Sequence, residues 1–186
     1  MEDTRAFAYK TDDERITADE ESISISEFLG RGGIYLGISA ATKDEALRDS
    51  LERMKERIPD IDIKRLFVSI LERERLCPTA VGNGIALPHP ASFRQFTRFS
   101  YIALCRLERP IPFGSMDNEN VDTMFFIFPK SERRFLRIQA KLLRLLRDEE
   151  VIEAVKRPDI SEDLYSGEIL RILAQKESQI FTTVPL

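Results

Sequence analysis

The chain has one histidine, His89, two cysteines and no tryptophan among its 186 residues. The cysteines, Cys77 and Cys105, stand far apart in the sequence and form no CxxC pair. A structural zinc site needs several clustered cysteine or histidine ligands, so we expect no metal. We interpret both cysteines as ordinary small residues rather than as a disulfide.

A strong charge of one sign and a long hydrophobic run are also missing. The 28 basic and 32 acidic residues nearly cancel, which gives no strong reason to expect nucleic-acid binding. The densest apolar run, Met124 to Phe128, is too short to cross a bilayer. The acidic amino terminus lacks the basic start and the apolar run of a signal peptide, so we expect a cytoplasmic protein without a membrane segment.

The length and the 42% hydrophobic content favour one globular domain with tails. Residues 1–22 hold eight acidic and three basic residues, and we interpret residues 1–21 as an acidic, flexible extension. We expect the folded domain to cover residues 22–176. Residues 177–186 have the composition of a C-terminal tail with some strand tendency.

Helical and strand patterns alternate along the chain without an internal repeat. After a weakly alternating segment, Ser22 to Leu29, the patterns predict strands at Ile34 to Ile38, Ile85 to Leu87, Tyr101 to Leu107 and Thr123 to Phe128. They predict helices after the capping box of Thr42 and Glu45, from Ile63 to Arg73, and over Ser131 to Arg147, Glu149 to Lys156 and Glu162 to Gln175. This alternation is typical of an α/β fold with helices packed on a sheet.

Motifs of common enzyme classes are absent, since the chain has no GxSxG, no Walker motif and no GxGxxG after a strand. The remaining candidate is His89, which stands between Pro88 and Pro90 at the end of an apolar run. Prolines on both sides limit the mobility of the backbone that carries the imidazole. Upstream, Gly82-Asn83-Gly84 has glycines that let backbone N–H groups face an anion.

Two further residues have side chains suited to a phosphate near His89. Thr79 has a hydroxyl donor, and Arg73, near the end of a predicted helix, has a planar guanidinium that fits phosphate oxygens. A neutral imidazole is a competent nucleophile near pH 7. Each residue also has an ordinary interpretation: a structural histidine, a turn, or a helix-end arginine in an ion pair.

The block LERERLCPTAVGNGIALPHP, from Leu71 to Pro90, resembles the phosphorylation segment of the fructose-mannitol class of enzyme IIA in the bacterial phosphoenolpyruvate:sugar phosphotransferase system. That family reads roughly L-x-R-E-x-x-x-S-T-x-x-G-N-G-x-A-x-P-H. The matching positions are Arg73, Glu74, Thr79, Gly82, Asn83, Gly84, Ala86, Pro88 and His89. The arginine stands 16 positions before the histidine, as it does in the family. A looser resemblance extends over about residues 22 to 175.

The resemblance implies a mixed β-sheet flanked by helices, and phosphorylation of His89 by the phosphohistidine of HPr or its nitrogen-branch relative. Arg73 would neutralise the phosphate, Thr79 would hydrogen-bond near it, and the backbone of Gly82, Asn83 and Gly84 would face it. No cofactor is implied. The regulatory target of such a protein is not evident from the sequence.

Three departures from the family pattern favour the free-standing, nitrogen-regulatory branch over sugar transport. Pro90 replaces a usual glycine, and Cys77-Pro78 replaces a usual Gly-Ser. Phe135 or a neighbour stands where members commonly have a second histidine, which assists the active histidine in sugar-transporting members. The chain also contains no fused membrane segment or IIB domain. We therefore expect a regulatory phosphoprotein in which a change of about two negative charges controls partner binding.

Three other interpretations remain open at this point. One is a degenerate binding module that keeps the fold and contacts partners without phosphorylation, and another is a sugar-transport IIA of the same class. The third is a hydrolase in which His89 acts as general base for Ser92 or Ser100. No nucleophile motif supports the hydrolase.

Overall fold

A five-stranded sheet with helices on both faces forms the body of the protein. The computed structural model describes residues 23–58, 61–92, 99–157 and 161–182, so the expected extension over residues 1–21 lies outside the described residues. Within these ranges the helices are α1 (Ile25–Gly32), α2 (Lys43–Met54), α3 (Ile63–Leu76), α4 (Glu132–Leu145), α5 (Glu149–Lys156) and α6 (Glu162–Thr182). The strands are β1 (Ile34–Ile38), β2 (Ala80–Gly82), β3 (Ile85–Ala86), β4 (Tyr101–Pro112) and β5 (Asn120–Phe128).

The strand order is β1-β4-β5-β3-β2. β1 runs parallel to β4, and β3 runs parallel to β5, whereas β4–β5 and β2–β3 are antiparallel pairs. The sheet is therefore mixed and the chain forms one α/β domain, which confirms the fold class expected from the sequence.

Two hydrophobic clusters fill the space between the sheet and its helices. Phe125 and Ile127 of β5 face the cluster beneath α1, α4, α5 and α6. Phe126 and Phe128 face the opposite cluster, beneath α2 and α3. Alternate side chains of one strand point to opposite faces, and because both faces are covered, β5 reads as a continuous apolar run.

The first described helix lies in a segment for which the sequence pattern predicts no helix. The segment Ser22 to Leu29 alternates weakly in hydrophobicity, but residues from Ile25 onward form α1. Ser24 caps this helix by accepting a hydrogen bond from the backbone N–H of Glu27. The predicted strand at Ile34 to Ile38 and the capping box of Thr42 and Glu45 are confirmed.

The expected strand tendency of residues 177–186 is wrong for residues 177–182, which are helical and complete α6. The physical reason is a buried contact of Glu177. Its carboxylate accepts hydrogen bonds from the backbone N–H of Ile25, at 2.6 Å, and of Ser26, at 3.0 Å. Lys141 of α4 forms an ion pair with the same carboxylate at 2.9 Å. Tertiary contacts therefore stabilise a helical segment whose composition is that of a tail.

The segment between α3 and β3 contains a tight hairpin. β2 and β3 are joined by Asn83 and Gly84, which both have positive φ, at 54° and 65°. This pair matches the type I′ turn, which joins antiparallel strands through an Asn-Gly dipeptide. A Cβ at Gly84 would also lie 3.1 Å from the carbonyl oxygen of Asn120, so the positive φ and the nearby backbone both favour glycine.

Candidate functional site

His89 lies just beyond β3, in a segment held by backbone hydrogen bonds on both sides. The N–H of Ile127 in β5 donates to the carbonyl of Pro88 at 3.0 Å. The N–H of Ala91 donates to the carbonyl of Ser69 in α3 at 3.1 Å, and also to its hydroxyl. The two prolines restrict the same segment, so the backbone of His89 is fixed between the sheet and α3.

Both ring nitrogens of His89 have hydrogen-bond partners. Nδ1 lies 2.8 Å from the carbonyl oxygen of Leu87, and Nε of Arg73 lies 3.0 Å from Nε2. A carbonyl can only accept and a guanidinium can only donate, so the proton is on Nδ1 and the lone pair is on Nε2. The contacts thus assign Nε2 as the unprotonated ring nitrogen of His89.

Arg73 is held in this position by its own helix. Its Nη1 donates to the carbonyl oxygen of Cys77 at 2.7 Å, at the C-terminal end of α3. The guanidinium therefore has one contact with the end of the helix and one with the imidazole. The 16-residue separation seen in the sequence corresponds to a direct contact.

Burial favours the neutral form of His89. The residue is 3% exposed, and this burial lowers the pKa of His89 to about 4. The hydrogen bond to Leu87 raises the pKa and the charge of Arg73 lowers it, but desolvation has the largest effect. The ring is thus neutral, with Nε2 unprotonated, throughout the physiological pH range.

A titration of the ring by NMR tests this conclusion, because the chain has only one histidine and its ring signals are unambiguous. We expect a midpoint at about 4 in the folded protein, well below the ordinary value of 6.5. The same signals in the urea-unfolded protein should titrate at the ordinary value, which provides the control. A folded-state midpoint near the ordinary value would contradict the buried, Arg73-paired ring.

Phe135 of α4 packs on the imidazole. The ring centroids of His89 and Phe135 lie 4.3 Å apart, with an angle of 33° between the ring planes. Of Phe135 and its neighbours, which the resemblance places where family members commonly have a second histidine, Phe135 is the residue whose ring contacts His89. A phenyl ring contributes to the desolvation of His89 but offers no hydrogen bond to a phosphate.

Thr79 is near the segment of His89 but its hydroxyl is already engaged. The residue is buried, and its hydroxyl and its N–H both donate to the carboxylate of Glu74. Its carbonyl accepts from the N–H of Leu87 at 3.0 Å. Because the single hydroxyl proton is donated to Glu74, it is not available to a phosphoryl group in this arrangement. Thr79 instead fixes the start of β2 against β3.

The structure does not bring Gly82, Asn83 and Gly84 to His89. The carbonyl of Gly84 accepts from the N–H of Asp122, whereas the carbonyl of Pro88 accepts from the N–H of Ile127. These positions of β5 are separated by about 17 Å at the rise of an antiparallel strand. The tight hairpin explains the sequence Gly-Asn-Gly without a role in phosphate binding.

A cavity of about 220 Å³ opens beside the imidazole. Its lining residues come from the end of α3, the segment after β3 and one face of α4, and they are Arg73, His89, Pro90, Ala91, Glu132, Phe135, Leu136 and Gln139. The sequence analysis did not identify Glu132, Leu136 and Gln139. Their signal was the spacing i, i+4 and i+7 on the helix that carries Phe135, but nothing in the sequence placed this face against His89.

The other residue classes considered from the sequence do not form a second site among the described residues. In the described ranges no group of three or more histidine, cysteine, aspartate or glutamate side chains has a metal-binding arrangement. The described helices include none with the length and apolar character of a membrane span. In the described part of the chain, the ring nitrogens of His89 pair with Arg73 and Leu87 and not with Ser92 or Ser100, the serines of the hydrolase hypothesis.

Comparison with known proteins agrees with this arrangement. The chain belongs to the family described as phosphoenolpyruvate-dependent sugar phosphotransferase system, EIIA 2, whose family model matches residues 27–171. The nitrogen regulatory protein of Bradyrhizobium diazoefficiens is 29% identical over 144 residues, which are 76% of this chain and 92% of that protein. The resemblance found in the sequence is confirmed.

Solved structures with the same fold include nitrogen regulatory protein IIA-Ntr from Neisseria meningitidis, with a TM-score of 0.67 and 22% identity. That match covers 80% of this chain and 98% of the other. IIA mannitol from Escherichia coli has a TM-score of 0.63 and 26% identity, over 78% of this chain and 98% of the other. The fold is thus shared by nitrogen-regulatory and mannitol IIA proteins.

Proposed function

We propose that the protein accepts a phosphoryl group on Nε2 of His89 from the phosphohistidine of HPr or its nitrogen-branch relative, and that phosphorylation regulates its binding to a target protein. One observation carries this proposal: the hydrogen bonds of Leu87 and Arg73 hold a neutral imidazole with its lone pair on Nε2. The family match and the nitrogen regulatory relatives support the same function.

The transfer would proceed without a net change of protons. The lone pair of Nε2 attacks phosphorus, the bond from phosphorus to the carrier's protonated phosphohistidine breaks, and the carrier ring leaves as a neutral imidazole. The ring of His89 gains positive charge as the new P–N bond forms, and its Nδ1–H donates to the carbonyl of Leu87. This hydrogen bond stabilises the charged ring.

Arg73 has a different partner before and after the transfer. Its Nε–H points at the lone pair of Nε2 in the unphosphorylated protein, so it must move aside before the nitrogen can attack. The guanidinium then has the phosphoryl oxygens as new acceptors within reach, while its contact with Cys77 keeps it beside the ring. Arg73 both orients the free imidazole and neutralises the phosphorylated one.

Phe135 supports regulation rather than rapid sugar transport. A phenyl ring beside His89 has no proton or hydrogen bond to offer to a departing phosphoryl group. The phosphorylated state would therefore persist and report the supply of the carrier, as a regulatory protein requires. Its proposed location is the cytoplasm, where phosphocarrier proteins act.

The test is to incubate the protein with enzyme I, the carrier and labelled phosphoenolpyruvate. We expect acid-labile label on the wild type and none on His89→Ala, with the carrier labelled in both reactions. Unlabelled wild-type protein beside a labelled carrier would refute the proposal. It would favour the alternative, a binding module whose target affinity is the same for the wild type and His89→Ala.

A further inference from the structure

The cavity beside His89 has few groups that can donate a hydrogen bond to a phosphoryl group. Pro90 has no N–H, and the N–H of Ala91 is donated to Ser69. Phe135 and Leu136 are apolar. Among the described side chains that line the cavity, Arg73 and Gln139 are the two that can donate a hydrogen bond.

The position of Gln139 follows from the contact between Phe135 and the imidazole. The cavity-lining residues of α4 are Glu132, Phe135, Leu136 and Gln139, at the spacing i, i+3, i+4 and i+7 of one helix face. Phe135 lies against the ring, so Gln139 is one turn further along the helix and Glu132 is almost one turn before it. One turn is about 5.4 Å, comparable to the size of a phosphoryl group.

We propose that the side-chain amide of Gln139 binds the phosphoryl group on His89, and that the carboxylate of Glu132 at the same cavity opposes it. Gln139 would supply the second hydrogen-bond donor that Phe135 lacks, and Glu132 would raise the tendency of the phosphoryl group to leave. The two residues together set how much of the protein is phosphorylated at a given ratio of phosphorylated to free carrier. This inference rests on the proposed function.

Gln139 would take the place of the phosphate contacts that the sequence predicted at Thr79 and at the glycine hairpin. The hydroxyl of Thr79 is donated to Glu74, and the hairpin lies at the other end of β3. A doubly charged phosphoryl group with Arg73 as its single donor would be poorly neutralised. The amide of Gln139, which lines the same cavity and has two N–H groups, would complement the guanidinium.

The test is the equilibrium constant for phosphoryl transfer from the carrier, measured from the labelled fraction of each protein at fixed carrier ratios. We expect Gln139→Leu to lower this constant about tenfold, because a hydrogen bond to a charged group is lost. Glu132→Gln should raise it about threefold, since the carboxylate is exposed and its repulsion is screened. Gln175→Leu on the exposed face of α6 makes the same substitution away from the cavity and should leave it unchanged.

A second variant separates hydrogen bonding from a structural effect of the substitution. Gln139→Lys restores a donor, and we expect it to recover the constant to the wild-type value or above, whereas a general disturbance of α4 would lower it as leucine does. If the wild type is labelled and Gln139→Leu has the same equilibrium constant for phosphoryl transfer, this inference is overturned and the proposed function stays intact. Wild type without label would overturn both.

Discussion

Replacing Arg73 with leucine is expected to slow phosphoryl transfer to His89 by about 10²–10³-fold, the usual effect of deleting one donor that stabilises developing negative charge. Nε of the guanidinium lies 3.0 Å from Nε2, and no other cationic side chain of the described residues lines the cavity. Leucine has a similar width but cannot neutralise the transferring phosphoryl group. The rate of label transfer from the phosphorylated carrier, followed by rapid quenching, measures the effect.

Two matched variants make this result specific. Arg75→Leu removes an exposed arginine two positions further along α3, and transfer should stay within about twofold of the wild type. Arg73→Lys keeps the charge but loses the planar pair of donors, so an intermediate rate is expected. A rate for Arg73→Leu within threefold of the wild type would show that Arg73 is structural and does not assist transfer.

Replacing Glu177 with alanine is expected to lower the free energy of unfolding by about 3 kcal/mol, at the lower end of the cost of breaking a buried charge pair. The substitution leaves the N–H groups of Ile25 and Ser26 without their side-chain acceptor and the ammonium of Lys141 without its carboxylate. For a domain of this size the melting temperature should fall by about 6–12 °C. Thermal unfolding followed by circular dichroism measures the change.

The pH dependence of the same variant provides an internal check. Burial alone would raise the pKa of Glu177, but the hydrogen bonds from Ser26, Ile25 and Lys141 outweigh it and lower the pKa below its ordinary value. The carboxylate therefore stabilises the fold above the ordinary pKa of glutamate, and this stability is lost as the pH falls through the lowered pKa. The difference in the free energy of unfolding between the wild type and Glu177→Ala should therefore become smaller in acid. Glu153→Ala, at an exposed position of α5, should change stability by less than about 0.5 kcal/mol at any pH.

The sequence predicted that Arg73 and His89 lie together because both belong to one short motif block, Leu71 to Pro90. Arg73 ends an amphipathic helix, His89 follows a short strand, and the motif links them at a constant separation. Leu66 and Ile70 of α3 and Ala86 of β3 belong to the same hydrophobic cluster, which brings the end of the helix near the segment that follows the strand. The alternating patterns of helix and strand predicted a sheet with helices packed on it, whereas the mixed strand directions were implied only by the family resemblance.

The rest of the site depends on how distant elements pack against each other, which no local sequence pattern reveals. Which face of α4 meets the imidazole is decided by the packing of Phe135, and only this packing brings Gln139 and Glu132 to the cavity. Thr79 matched the motif, but the sequence does not reveal that Glu74 takes its hydroxyl proton. The sequence suggested that Gly82 and Gly84 face a phosphate, but the positive φ angles of the tight hairpin explain these glycines without that role.

The contacts of Glu177 with the start of α1 are another example of packing that the sequence does not reveal. A glutamate among polar residues near the C-terminus has the composition of a tail, and its acceptor role is visible only when α6 lies beside the start of α1. The separation of about 150 positions between the partners exceeds the reach of any periodicity argument.

The contacts of Glu177 in α6 with the start of α1 also decide how far the protein can be shortened without loss of stability. The family match covers residues 27–171, so a fragment cut to those limits would lose Ser24, Ile25 and Ser26 at one end and Glu177 at the other. Lys141 would then be left without both of its described oxygen acceptors, the carboxylate of Glu177 and the carbonyl of Ile23. The smallest fragment that retains the full stability of the domain must therefore begin before Ile23 and extend beyond Glu177, so the folding unit is longer than the unit recognised by family resemblance.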